Sequence, residues 1–145
     1  MSEFKRVTPD FAVAAQLEPE DVARAAAEGF QTIIVNRPDG EAPGQPAADA
    51  IKAAAEAAGL SFKAIPFLGL PPAPAIVAET AAALDEANGP VLAYCRTGTR
   101  SITAWALARA LTGGHTPDEI IALAQKAGYD LNGARGALET LAPKA

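Results

Sequence analysis

The sequence predicts an α/β fold in which a central, mostly parallel sheet is flanked by helices. Three observations lead to this fold class. Short apolar runs of strand length alternate with helix-length segments along the chain, and such alternation is typical of βαβ units. Glycine or proline stands at most boundaries between the two kinds of segment. The length of 145 residues fits one domain, so we expect residues 1–145 to form a single domain.

Five segments have the composition of strands. The first two are separated by a turn at residues 8–10, and the others are mostly apolar runs that end at polar or proline-rich loops. The predicted strands are 4–7, 11–14, 30–36, 60–67 and 90–94.

Six segments are predicted to be helices. Pro19 followed by Glu20 and Asp21 is typical of a first helical turn. Thr116 can cap another helix, with Pro117 at its first position. The predicted helices are 19–28, 46–58, 75–88, 101–111, 116–127 and 134–141.

Composition excludes several classes of function. The net charge of −5 gives no general attraction to nucleic acid or to anionic membranes. The single cysteine cannot form a disulfide within the chain, and the single histidine, His115, argues against a Cys/His metal site, so we expect no metal and no cofactor. No apolar run approaches the ~20 residues that span a bilayer. The first residues lack a signal-peptide core, so the protein is expected in the cytoplasm.

Three loops follow strands of the predicted parallel sheet and should meet at one edge. They begin at Arg37, Leu68 and Cys95. In sheets of this kind, ligands bind beyond the carboxyl ends of the strands. The edge where these loops meet is therefore the predicted site.

The loop after the last strand begins with the cysteine. The strand 90–94 runs directly into Cys95, and the next predicted helix begins about six residues later. Backbone N–H groups in the first turn of a helix have no intrahelical partner, and together with loop N–H groups they bind anions. Gly98 permits the positive φ that a loop with inward-facing N–H groups needs. The pattern predicts an anion-binding loop.

The same loop favours a reactive thiolate at Cys95. A cysteine beside arginines at a helix N-terminus is stabilised as the thiolate, which is the nucleophilic form. Arg100 is expected to hold an oxyanion with its planar fork of donors, and Ser101 or Thr99 can hydrogen-bond the sulfur. The predicted anion-binding residues are Arg96, Thr97, Gly98, Thr99, Arg100, Ser101 and Arg37.

Other conspicuous residues have a structural interpretation. Trp105 should pack in the core, Tyr94 should pack under the loop, and His115 should lie at the surface, away from Cys95. Arg96 can equally be a solvated surface residue. For Arg37 and Asp39 the alternative to a role in the site is a mutual salt bridge.

The loop resembles the active loops of rhodaneses and cysteine-dependent phosphatases. Four segments carry a wider resemblance, namely 8–11, 36–41, 94–101 and 105–107. Together they resemble one bacterial family, the phosphatase-like domain of β-lactamase-hydrolase-like proteins, also labelled a sulfurtransferase family. This resemblance covers about residues 4–110 and implies the fold of the small dual-specificity phosphatases.

Two departures from the phosphatase pattern affect the predicted activity. Protein tyrosine phosphatases have five residues between cysteine and arginine, whereas here four residues separate Cys95 from Arg100, as in rhodaneses. Phosphatases of this fold also carry an aspartic acid on a neighbouring loop, but residues 68–74 contain no acid. Asp39 is the predicted substitute for that general acid. We therefore prefer sulfane-sulfur transfer through a Cys95 persulfide, since transfer from thiosulfate needs no general acid.

Two alternatives stay open. The first is a phosphatase in which Cys95 forms a phosphocysteine, Arg100 stabilises the phosphoryl oxygens, and Asp39 or water protonates the leaving group. The second is a non-catalytic anion-binding module that acts beside a metallo-β-lactamase-like partner enzyme, since the resembling family occurs fused to such domains. The expected substrate is a small anion: thiosulfate, a persulfide or a phosphoester.

Overall fold

The computed structural model describes residues 3–143, within which five strands form one sheet. The strands are β1 (Lys5–Thr8), β2 (Phe11–Ala14), β3 (Thr32–Val35), β4 (Ser61–Ala64) and β5 (Val91–Tyr94). Their order across the sheet is β1-β2-β5-β3-β4, with β1 antiparallel to β2 and every other pair parallel. The mostly parallel sheet flanked by helices is confirmed.

The helices lie close to their predicted positions. Each predicted helix agrees with an observed one to within two residues at both ends. None of the helices in residues 3–143 is both long enough and apolar enough to cross a membrane. They are α1 (Pro19–Ala27), α2 (Ala48–Ala57), α3 (Pro74–Glu86), α4 (Thr99–Thr112), α5 (Pro117–Lys126) and α6 (Arg135–Leu141), with a 3-10 turn at Asn132–Ala134.

The two faces of the sheet carry separate apolar clusters because side chains alternate along each strand. In β5, Val91 and Ala93 join one cluster, whereas Leu92 and Tyr94 join the other. Helices α3 to α6 cover the first face, and α1 and α2 cover the second. Tyr94 is 1% exposed, so it packs beneath the loop as predicted.

Helix α4 runs through the larger cluster and carries the end of the Cys95 loop into the core. Eight consecutive residues from Ser101 to Ala108 are buried. Trp105 is fully buried and stacks on Phe11 with ring centroids 5.3 Å apart, which confirms its core role. His115 lies half-buried next to Trp105, beyond the far end of α4. These contacts fix α4 against β2.

Asn36 joins the carboxyl ends of three strands. Its backbone N–H donates to the Tyr94 carbonyl at 2.9 Å, and its side-chain amide donates to the Ile65 carbonyl at 2.9 Å. Its own carbonyl accepts from the Phe67 N–H at 3.2 Å. Asn36 is 1% exposed, so these bonds form out of water, where an unpaired amide is costly. The loops that follow β3, β4 and β5 therefore leave the sheet from fixed positions.

Removing the Trp105 ring should destabilise the fold strongly. Truncating a buried tryptophan to alanine costs about 3–5 kcal/mol of unfolding free energy, so Trp105→Ala should show this loss in urea titrations. Leu111→Ala is the matched control, because Leu111 lies on the same helix and is 40% exposed. Its effect should stay within about 0.5 kcal/mol. Equal losses in both variants would contradict the central position of Trp105.

Candidate active site at the Cys95 loop

Cys95 lies at the base of a loop that leads into α4. The residue is 1% exposed, and its Sγ accepts a hydrogen bond from the Gly98 N–H at 3.1 Å. Gly98 is the N-cap of α4 and has φ of 96°, a left-handed conformation that side chains disfavour. The sulfur therefore faces the N-terminus of a buried helix, where backbone N–H groups and the helix dipole stabilise negative charge.

Tyr129 fastens this loop from the C-terminal part of the chain. Its hydroxyl donates to the Thr97 carbonyl at 2.8 Å. The same hydroxyl lies so close to Gly98 that a Cβ at that position would overlap it. No local sequence pattern indicates this contact, because Tyr129 lies 32 residues from Thr97 along the chain. Gly98 is thus required both by its backbone conformation and by the tyrosine above it.

Arg100 lies in the first turn of α4 and brings the three predicted loops together. Its Nη1 donates to Glu41 Oε2 at 2.8 Å and its Nη2 donates to Glu41 Oε1 at 2.7 Å. Nη1 also donates to the Phe67 carbonyl at 3.2 Å. Glu41 belongs to the loop after β3, and Phe67 precedes the loop 68–74. The three loops therefore meet at one edge of the sheet, as predicted.

The remaining donors of Arg100 form a pair. A guanidinium group has five N–H donors, and the contacts with Glu41 and Phe67 use three of them. Nε–H and the second Nη2–H are not used by Glu41 or Phe67, and these two bonds lie parallel on the remaining edge of the planar group, whose side chain also interacts with Cys95. A parallel pair of donors is the arrangement that binds two oxygens of one oxyanion.

Glu41 connects Arg100 to a second, buried arginine. Arg37 is 5% exposed, and its Nε donates to Glu41 Oε1 at 2.9 Å. Its Nη1 donates to Gln16 Oε1 at 3.0 Å. Arg37 therefore lies behind Glu41 rather than beside Asp39, and the mutual salt bridge considered from sequence is not formed. An anion-binding role for Arg37 stays a prediction.

The two guanidinium groups hold Glu41 in its charged form. The Arg100 hydrogen bond is the largest cause and, with Arg37 and against partial burial, lowers the pKa of Glu41 from 4.5 to about 2. In turn, the hydrogen bonds that Arg100 donates to Glu41 raise the pKa of Arg100 against burial, with further contributions from its interaction with Cys95. At neutral pH Glu41 is therefore a carboxylate and cannot donate a proton.

Asp39, the predicted general acid, accepts a hydrogen bond at the start of α2. Its Oδ1 accepts from the Ala48 N–H at 2.8 Å. The N-cap residue of α2, Ala47, has no side-chain oxygen that could accept from the first N–H groups of the helix. Asp39, nine residues before Ala48, supplies this acceptor instead. The acid that the structure places against Arg100 is Glu41, which the sequence indicated only as the last residue of the segment 36–41. A catalytic role for Asp39 stays a prediction.

The other predicted loop residues occupy different surroundings. Arg96 is exposed, and the hydroxyls of Thr97 and Thr99 lie 3.1 Å apart. Ser101 is 1% exposed, and its Oγ has no hydrogen-bond partner among the described residues. A buried hydroxyl without a partner is rare in folded proteins. Ser101, in the first turn of α4, is therefore free to bond a group at the loop.

An open pocket of about 400 Å³ lies above the loop. Arg100 forms part of its wall, so an anion in the pocket can approach this arginine. The residues that line it are Glu41, Leu68, Gly69, Leu70, Thr97, Thr99 and Arg100.

The sheet order, the cysteine loop and its arginine define a phosphatase-like protein with a cysteine-phosphatase fold. More narrowly, the chain belongs to the family described as beta-lactamase hydrolase-like protein, phosphatase-like domain, which matches residues 3–112. The family expected from the sequence is thus confirmed.

Relatives of the chain share both sequence and fold. A beta-lactamase hydrolase-like protein from Agrobacterium fabrum is 37% identical over 134 residues, which cover 92% of this chain and 31% of that protein. The chain spans less than a third of the length of the curated relatives it matches. A crystal structure of a candidate phosphatase from Neisseria meningitidis has 36% identity and a TM-score of 0.82, covering 95% of this chain and 97% of that one.

At lower identity the comparison concerns the fold alone. PTPMT1 in complex with PI(5)P is 15% identical, with a TM-score of 0.73 over 95% of this chain and 93% of that chain. Together, the comparisons support the phosphatase alternative better than the sulfurtransferase preferred from sequence.

Adding a methyl group at Gly98 should be more costly than at a glycine with the same backbone conformation. Gly29, with φ of 95°, has no heavy atom within 4 Å of its added Cβ, so Gly29→Ala meets only backbone strain of about 1–2 kcal/mol. Gly98→Ala must also displace Tyr129, which adds about 1–3 kcal/mol of overpacking. Urea unfolding measures both losses. In a Tyr129→Ala background, Gly98→Ala should cost no more unfolding free energy than Gly29→Ala. If the additional loss at Gly98 persists, the tyrosine is not its cause.

The ionisation of Glu41 should make the free energy of unfolding depend on pH between 4.5 and about 2. Its folded pKa of about 2 lies below the ordinary value of 4.5, so its contribution is complete above pH 4.5 and disappears as the pH falls towards 2. The difference in unfolding free energy between the wild type and Glu41→Gln should therefore shrink across this range. Urea titrations at successive pH values measure it. A difference that grows on acidification would contradict the ion pair with Arg100.

Proposed function

We propose that the protein is a cysteine-dependent phosphatase that hydrolyses small phosphate monoesters through a phosphocysteine on Cys95. The observation that carries the proposal is the position of Arg100, which keeps two parallel N–H groups that Glu41 and Phe67 do not use and which interacts with Cys95 at the same loop. The family and the cysteine-phosphatase fold support it.

In the first step the Cys95 thiolate attacks phosphorus. The new S–P bond forms as the P–O bond to the ester group breaks, and the leaving oxygen takes the bonding electrons. Nε and Nη2 of Arg100 hold two phosphoryl oxygens, and the N–H groups at the start of α4 hold the third. Donors placed in advance where charge accumulates are the main source of catalysis in such a reaction.

Protonation of the leaving group is the weak point of this site. The segment 68–74 contains no acid, and Glu41, with a pKa of about 2, is ionised at neutral pH. Water then supplies the proton, and the missing general acid costs about 10²–10⁴-fold in rate. Esters whose leaving group is stable as an anion are therefore the favoured substrates.

In the second step water hydrolyses the phosphocysteine. An O–P bond forms, the S–P bond breaks, and sulfur leaves as the thiolate while the water proton passes to solvent. The Ser101 hydroxyl, which is buried and lacks a partner among the described residues, is assigned to donate to that sulfur. Gly98 N–H already donates to it at 3.1 Å. These two donors make Cys95 a better leaving group.

Sulfane-sulfur transfer is the second candidate, favoured by two features of the chain. Four residues rather than five separate Cys95 from Arg100, and the loop 68–74 lacks an acid. In this reaction the Cys95 thiolate attacks the outer sulfur of thiosulfate, an S–S bond forms, and sulfite leaves with the electrons of the broken S–S bond. The persulfide then passes its sulfur to an external thiol or cyanide. A metallo-β-lactamase-like partner enzyme stays a prediction.

Arg100→Lys should reduce the hydrolysis of 4-nitrophenyl phosphate by about 10²–10³-fold, because lysine keeps the charge but loses the paired donors. Cys95→Ser should abolish turnover. Arg109→Lys, on the same helix but away from the pocket, is the matched control and should retain activity. Unsubstituted alkyl phosphates should react far more slowly than the aryl ester.

Mass spectrometry of Cys95 separates the two candidates. Under excess aryl phosphate a trapped phosphoryl adduct is expected, and under excess thiosulfate a single added sulfur atom would instead support sulfur transfer. Failure to hydrolyse any activated phosphate ester, combined with a persulfide on Cys95, would replace the first proposal with the second.

A further inference from the structure

An apolar cavity adjoins the anion site and has no role in the chemistry described above. Its volume is about 310 Å³, and it shares Leu70 and Thr99 with the pocket above the Cys95 loop. It lies between α4, the 3-10 turn and α6. Its apolar walls are formed by Leu70, Pro71, Leu107, Leu131, Ala134 and Ala137.

The entrance to this cavity is marked by two exposed leucines. Leu68 is 69% exposed and Leu70 is 52% exposed; both line the pocket that contains Arg100, and Leu70 also lines the cavity. A single exposed leucine is ordinary, but neighbouring ones at the mouth of a pocket form an apolar binding surface. The loop 68–74, which contains no acid, thus supplies an apolar wall beside the pocket that contains Arg100.

The charges around the cavity determine which end of a bound molecule faces Arg100. Asp130 lines the cavity, and its Oδ1 accepts from the backbone and side-chain nitrogens of Asn132 at 2.9 and 2.8 Å. The backbone bond is the main cause that lowers the pKa of Asp130, so the group is an anion at neutral pH. A second anion in the cavity is disfavoured, whereas Arg100 attracts one at the other end.

We propose that the cavity binds the apolar body of the substrate, which is a dissolved phosphate monoester with a hydrophobic aryl group. The proposal rests on the proposed function for the anionic end of this molecule. The phosphate lies against Arg100 and the Cys95 loop, and the hydrophobic group passes Leu70 and Thr99 into the cavity. A net charge of −5 gives no attraction to an anionic membrane surface, which favours a substrate taken from solution.

Non-hydrolysable n-alkylphosphonates, from methyl to octyl, test the cavity without requiring turnover. Their Kd is measured from the protection of Cys95 in the wild-type protein against alkylation by iodoacetamide. Each added methylene should lower Kd about threefold to fourfold until the cavity is full. Methylphosphonate, which reaches only the anion site, should bind weakest.

Two matched variants localise the effect. Ala137→Phe places a ring in the cavity from an exposed position of α6, and should remove the gain with chain length while leaving the methylphosphonate Kd unchanged. Ala122→Phe makes the same change at an exposed position of α5 outside the cavity, and should behave like the wild type. Thermal unfolding of both variants verifies that they fold.

The outcomes separate this inference from the proposed function. Equal Kd values at every chain length, with hydrolysis of 4-nitrophenyl phosphate intact, would overturn the inference and leave the phosphatase proposal standing. A chain-length gain that Ala137→Phe abolishes, without hydrolysis of any ester, would support the cavity and overturn the phosphatase. A gain that survives Ala137→Phe, or no protection by any phosphonate, would overturn the inference.

Discussion

The carboxylate of Glu41 is the group on which the arrangement of the site depends. It accepts hydrogen bonds from Arg37 and Arg100 at 2.9 Å or less. Arg37 is 5% exposed, and a guanidinium removed from water needs a charged partner. The burial of Arg37 therefore fixes the position of Glu41, and the hydrogen bonds to Glu41 orient Arg100. The same contact joins the loop after β3 to the loop that carries the nucleophile, so two backbone segments with no covalent connection near the site keep one geometry.

This ion pair also sets the chemical character of the site. An acid held by two arginines is a poor proton donor at neutral pH, and the neighbouring loop 68–74 supplies leucine and proline but no acid. The proposed phosphatase therefore depends on stabilising an anion rather than on protonating a leaving group. Discrimination among substrates must then come from the stability of the leaving group and from the apolar surface beside Arg100.

The parts of the structure that depend on local sequence were predictable, and those that depend on distant contacts were not. Strand–helix alternation placed the sheet, and the Cys95–Arg100 spacing placed the anion loop, because both patterns involve residues close in sequence. The choice between Asp39 and Glu41 required the path of the loop: α2 lacks a capping side chain at Ala47 and takes Asp39, which leaves Glu41 for the arginines. The start of α4 at Thr99, two residues earlier than expected, follows from the left-handed Gly98.

Tyr129 lies outside the residues that the family match covers, yet it holds the cysteine loop. The match covers residues 3–112, whereas the hydroxyl that donates to the Thr97 carbonyl belongs to Tyr129, and Ile120 and Leu138 complete the core around α4. The identity to the Agrobacterium fabrum relative extends over 134 residues, so the similarity continues into this C-terminal part. Substitutions there can alter the reactivity of a cysteine loop whose own sequence is unchanged, so relatives with the same loop motif need not share the same chemistry.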